Sequence, residues 1–439
     1  MSTARAPHIL FAAAIAATAI CLAGCAFAQP VPDQSFTADQ LREDLTDWQD
    51  WLRSTHPDLA HSSDIAQLDR QVEALGEGLD GNYSALEAWM ALSTLNPLFA
   101  DAHTGLAIPP APDASFPPVE IRDGHAWIGS AIAPQSQLRP GERIVAVDEV
   151  DVDAMIAAVL PYIRGESDQL RERILELRFA EYLAFWSGRS TFRQIGLEDI
   201  EGNRSRLFHA PQTDRAGEDE VLFSLDFQGS TAILTVQSFD LAQLDTFNAF
   251  LIEAFAAIAS RRSERLIIDI RQNGGGAREL SDALLAYLTA DRYTPTSAIT
   301  ARITPDNIAR IPGAELGQVV HLPFPQWVEP SASQPDRFTG EIYVLIGPNT
   351  YSQGIVFATI VQDFHIGLIA GSPTEGAANQ TGQVQRFTLP HTGFEARSPL
   401  YVFQRASGDV SSDPVRPDIA LDPAEQDQLS SLLEHLDQR

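Results

Sequence analysis

The chain of 439 residues contains no lysine, so all 30 of its basic residues are arginine. A serine that needs a base therefore cannot take a lysine amine. A Gly-x-x-x-x-Gly-Lys phosphate loop is excluded as well. Cysteine is nearly absent: Cys21 and Cys25 are the only two, both close to the N-terminus. The remainder can form no disulfide, thiolate metal site or cysteine nucleophile. There is no His-Glu-x-x-His and no cluster of Cys and His, so neither a metal nor another cofactor is expected. Beyond the N-terminus no stretch approaches the ~18 apolar residues of a membrane span. Positive charge is short too. Against 59 acids the net charge is −29, which disfavours nucleic acid, since phosphate binding needs a basic surface. Anionic lipid surfaces are disfavoured for the same reason.

Hydrophobic residues make up 44% of the chain and charged ones 20%, the composition of a globular protein. Residues 1–28 read as a targeting segment, with Arg5 before an apolar stretch from Ile9 to Leu22. Two processing readings compete. Ala26-Phe27-Ala28 fits ordinary signal cleavage. Leu22-Ala-Gly-Cys25 fits a bacterial lipobox, in which Cys25 is lipidated and tethers the protein to the outer membrane. Both export the chain, and the periplasm is the expected compartment.

Residues 29–110 are expected to be helical. Thr37 stands at a cap position, and Leu41, Leu45, Trp48 and Leu52 recur at helical spacing. A proline-rich link leads to a small β module over 112–165. Its Gly141-Glu-Arg-Ile turn and following strand resemble a degenerate PDZ-like module. Residues 166–219 form a connecting helical and strand region. From 220 to 425 strands alternate with helices, which predicts an α/β core, and 426–439 is a C-terminal helix.

Two segments of that core carry chemistry. Leu266-Ile-Ile-Asp-Ile-Arg-Gln-Asn-Gly-Gly-Gly276 is an apolar strand ending in bare backbone amides. Thr350-Tyr-Ser-Gln-Gly354 follows the apolar run Ile342–Ile346 and puts Ser352 at a strand-to-helix junction. A hydroxyl at a helix start beside a glycine turn suits acyl transfer, which needs a nucleophile and an oxyanion hole. Serine is also a common helix N-cap, and the residues alone leave both readings open.

Four segments in order resemble the tail-specific, or C-terminal-processing, serine peptidase family, which includes the tricorn protease core and the interphotoreceptor retinoid-binding proteins. They are Ile268–Gly276, Asn349–Gly354, Gly371-Ser-Pro-Thr-Glu-Gly376 and Val415-Arg-Pro-Asp-Ile419. The resemblance implies a superhelical core of the Clp/crotonase type. It also implies Ser352 as nucleophile, with the N–H of Gln353 and an amide of Gly274 or Gly275 as oxyanion hole. The expected substrate is a peptide or an unfolded protein chain.

The chain departs from the best-known members at the base. Where they carry a lysine in a Thr-x-Gly-Lys-Gly turn, this chain has Ala377. His103, in Leu98-Phe-Ala-Asp-Ala-His-Thr-Gly105, resembles the histidine of the tricorn-like branch and is the expected base. His56, next to Pro57, is a weaker rival. For the residue that orients the histidine, the resemblance points to the stretch before Val415. Asp413 or Asp409 could serve, with Glu375 nearby in sequence. Asp101, Asp269 and Arg271 read as structural ion pairs or caps. A non-catalytic ligand- or peptide-binding protein on the same fold is the main alternative. An acyl-CoA enzyme of the crotonase type is a third, disfavoured by export.

Overall fold

The computed structural model describes residues 34–129, 138–198, 204–209, 222–422 and 428–438. The targeting segment, with Cys21 and Cys25, lies outside them. The fold is mixed α/β.

The core is a six-stranded sheet in the order Phe223–Gln228, Thr231–Val236, Arg265–Asp269, Glu341–Ile346, Leu368–Gly371, Ile419–Ala420. The first pair is antiparallel and the rest are parallel. Parallel strands are covered on both faces, so they read as continuous apolar runs. Alternate residues divide between the faces. Leu266, Ile268, Val344 and Ile346 pack under Phe247, Leu284 and Phe357 of three helices. Ile267, Tyr343 and Leu345 pack under Leu432, Leu433 and Leu436 of the C-terminal helix Gln428–Asp437. The stretch Leu241–Arg261 is long and apolar enough by composition to cross a membrane, contrary to the sequence expectation. Its Phe247, Leu251, Phe255 and Ile258 are buried in this core.

Register matters for function. Asp269 pairs with Leu345, and Ile346 pairs with Gly371. Three loops therefore leave one edge of the sheet: the glycine turn, the Ser352 segment and the turn after Gly371. The carboxyl ends of parallel strands are where such sheets hold ligands.

A second sheet, not read from the sequence, runs Val319–Pro323, Ala298–Arg302, Glu395–Gln404, Gln380–Thr388, and Gly105–Leu106 pairs with its long strand at Ala396 and Arg397. It brings the N-terminal region onto the core. Helix Ala38–Thr55 is started by a capping box between Thr37 and Gln40, and buries Leu41, Leu45, Trp48 and Leu52. Asp44 on this helix is fully buried. It accepts from His391 N (2.9 Å), Thr392 N (2.9 Å) and Thr392 Oγ1 (2.6 Å) at the hairpin of the second sheet. Asp44→Ala would leave these donors without their acceptor. The expected loss is on the order of 3 kcal/mol, read from urea unfolding.

The small β module reaches further than residue 165. Strand Arg143–Val147 pairs with Gln194–Glu198, which pairs with Arg204–His209. Two strands of the connecting region thus cover what would be an open sheet edge.

Candidate active site

The glycine turn and the serine segment pack backbone to backbone. Tyr351 N donates to Asn273 O (2.9 Å) and Gln380 Nε2 to Ser352 O (2.8 Å). Ser352 precedes helix Gln353–Asp363 with φ 49° and ψ −117°. A non-glycine residue rarely adopts this region, and such strain collects at functional sites. Its side chain does not cap the helix, so the N-cap reading of the serine fails. A strained serine at a strand-to-helix turn is the geometry that exposes a nucleophile.

The glycines divide their work. Gly275 N donates to Asn273 Oδ1 (2.9 Å), so its amide is already committed. Its Cα, at φ +101°, lies so close that an added Cβ would stand 2.7 Å from Ser352 Cβ. Gly274 faces open space. Among the described hydrogen bonds none takes the N–H of Gly274 or of Gln353. Gln353 opens its helix, where amides have no intrahelical partner.

His103 reaches the site from the N-terminal region. The Asp101-Ala-His-Thr turn is built on the Asp101 carboxylate, whose Oδ1 accepts from His103 N (2.9 Å) and whose Oδ2 accepts from Thr104 Oγ1 (2.6 Å). Gly105 follows, packed so closely on Asn96 that an added Cβ would sit 2.5 Å from Asn96 Oδ1. The His103 ring stacks on Tyr351, with centroids 5.3 Å apart. Thr381 completes the arrangement. Its hydroxyl lies 2.8 Å from Asp101 Oδ1 and 3.0 Å from His103 Nδ1. A carboxylate only accepts, so Thr381 donates to Asp101 and accepts from Nδ1–H. That tautomer leaves Nε2 with its lone pair. Neighbouring residues thus hold the two candidates: Gln380 bonds Ser352, and Thr381 bonds His103. No hydrogen bond joins Ser352 Oγ to His103 among those described; such contacts commonly tighten only with substrate bound.

Asp101 is buried. Burial alone would raise its carboxyl, but the bonds and charge of His103, with those of Thr104, hold it well below the usual range. Asp413 lies elsewhere: its side chain is 64% exposed, facing Arg416 at 3.8 Å. Asp409 is exposed and accepts from Ser411. Glu375 has no recorded bond to His103. The acid at the histidine is therefore Asp101, which sequence reasoning had read as structural, and not one of the later three. His56 is buried, with Nδ1 accepting from Asp58 N (3.1 Å) and Nε2 3.1 Å from Thr104 Oγ1. Burial lowers it to about 4. It is a neutral brace for Thr104. Ala377, at the lysine position, forms a bridge with Pro414.

The match to known proteins covers the core. Residues 230–421 fit the model of Peptidase family S41. These residues are an S41 peptidase domain. It contains Asp269, the glycine turn, Ser352 and Thr381, whereas His103 and Asp101 lie outside the matched stretch. A tail-specific protease of Haemophilus influenzae is 22% identical over 281 residues, covering 63% of this chain and 34% of that protein. The match thus spans about a third of the relative's length. Mature CPAF superposes with a TM-score of 0.60 at 15% identity, over 91% of this chain and 96% of its own. Mature CPAF complexed with lactacystin gives 0.60 at 16%, over 91% and 97%. The shared fold therefore extends well beyond the S41 domain.

Proposed function

We propose that this chain is an exported serine peptidase of the tail-specific type, which cleaves peptides or unfolded protein chains through an acyl-enzyme at Ser352. The observation that carries the reading is the strained, uncapped Ser352 beside free amides, in an S41 domain, with a histidine held against its neighbour. His103 Nε2 takes the proton of Ser352 Oγ as the hydroxyl attacks the scissile carbonyl. The N–H groups of Gly274 and Gln353 stabilise the oxyanion, a contribution of about 3 kcal/mol per donor. His103 then gives its proton to the leaving amine. Water, deprotonated by the same nitrogen, hydrolyses the ester. Asp101 and Thr381 fix the ring and its tautomer. Export rests on residues 1–28, and lipidation at Cys25 on the lipobox alone.

The test is cleavage of an unfolded protein and of peptides with free C-termini, followed by mass spectrometry. Cleavage that vanishes in Ser352→Ala supports the reading. No cleavage by well-folded wild-type protein favours the ligand-binding alternative. A paired substitution checks the acid. Asp101→Asn should lower kcat/KM about 10²–10⁴-fold, while Asp413→Asn leaves it within about twofold.

A further inference from the structure

We infer that Glu166, which no motif singled out, is a positioning residue that ties the serine segment to the histidine segment; the inference rests on the function proposed above. Its Oε1 accepts from Tyr351 Oη (2.6 Å) and its Oε2 from Ala102 N (3.2 Å). Tyr351 immediately precedes Ser352, and Ala102 immediately precedes His103. Arg164 Nε donates to Ala102 O (2.6 Å), so the segment Arg164-Gly-Glu166 grips both polar groups of Ala102. The Tyr351 ring, stacked on His103, closes the loop. One carboxylate thus sets where the ring of His103 stands relative to Ser352.

The tie depends on charge. An ionised carboxylate accepts at both oxygens with its full charge, whereas a protonated one accepts only as a neutral group and turns one oxygen into a donor, so the bonds from Tyr351 and Ala102 are no longer both charge-assisted. The groups around Glu166 are Asp101 and His103 from the histidine turn, Tyr351 from the serine segment, and Arg164 on its own segment. Burial, then the charge of Asp101, push its carboxyl up to about 7, against the pull of the Tyr351 bond and His103. The tie is therefore complete above neutrality and weakens below it.

The sign for stability is opposite. A carboxyl raised from 4.5 to about 7 by folding contributes stability that is present below pH 4.5 and lost as pH rises to about 7. Replacing it with a neutral amide should remove that decline.

The experiment measures the rate of Ser352 acylation by a fluorophosphonate from pH 5 to 9, and melting temperature at pH 5 and 8. It compares wild type, Glu166→Gln and Tyr351→Phe. Wild-type rate should fall below pH 7, where the tie weakens. Glu166→Gln should be about 10–10²-fold slower at pH 8 and fall less steeply than wild type below pH 7. Its melting temperature relative to wild type should be higher at pH 8 than at pH 5. Tyr351→Phe should also be slower at pH 8. Wild-type rates and pH profile in Glu166→Gln would overturn the positioning role alone, as would slowing that only accompanies a lower melting temperature at pH 8. Absence of labelling in folded wild type would instead overturn the proposed function, and this role with it.

Discussion

His103→Ala is expected to slow acylation of Ser352 about 10²–10⁴-fold near neutral pH, the usual worth of a positioned general base. Among the described residues no other base is placed to compensate. The chain has no lysine, and Ala377 stands where one would be. His56 has both ring nitrogens engaged and is held neutral by burial. His56→Ala should therefore act first on stability, by freeing Thr104 and loosening the Asp101 turn. Stopped-flow or quench labelling of the two variants, each with its melting curve, separates the roles. A His103→Ala protein that acylates at the wild-type rate would remove the histidine from the mechanism.

The second large effect is expected at Gly275. Alanine there would place Cβ 2.7 Å from Ser352 Cβ and 2.8 Å from Gln353 N, at a φ of +101°. The neighbours are the proposed nucleophile and the first turn of its helix, so relief of the clash must move Ser352. A displacement of about 1 Å costs on the order of 10²-fold in rate, and the backbone strain adds about 1–2 kcal/mol of destabilisation. Gly274→Ala is the control. Its Cβ meets nothing within 4 Å, and alanine keeps the N–H, so rate and stability should stay within a few-fold and about 1 kcal/mol. Equal effects at the two positions would contradict the division of labour between them.

Much of the core was legible because its sheet is buried on both faces. Continuous apolar runs such as Leu266–Ile268 and Ile342–Ile346 mark parallel strands, and Asn273-Gly-Gly-Gly marks where one stops. The cap at Thr37 and the stripe Leu41, Leu45, Trp48, Leu52 were equally plain, since helix starts and faces are local signals. The second sheet was not. Strand Gln380–Thr388 reads Gln-Thr-Gly-Gln-Val-Gln-Arg-Phe-Thr, with no alternation of apolar residues, and its pairing is set by Glu395–Gln404 across a hairpin. Thr381 and Gln380 went unnoticed with it. Glu166 lies 64 residues from Ala102 and 185 from Tyr351, and only the folded chain joins them. Asp101 was noticed, but only as a cap or ion pair. It does cap its turn, as its place two residues before His103 suggests, and the same oxygen that caps also receives Thr381.

The most direct measurement is the intact mass of the protein after reaction with a fluorophosphonate, with the modified peptide mapped. The account predicts one adduct per chain, on Ser352, absent from Ser352→Ala and strongly slowed in His103→Ala. Folded wild-type protein that stays unmodified from neutral to alkaline pH, or that is modified at a different residue, would contradict it.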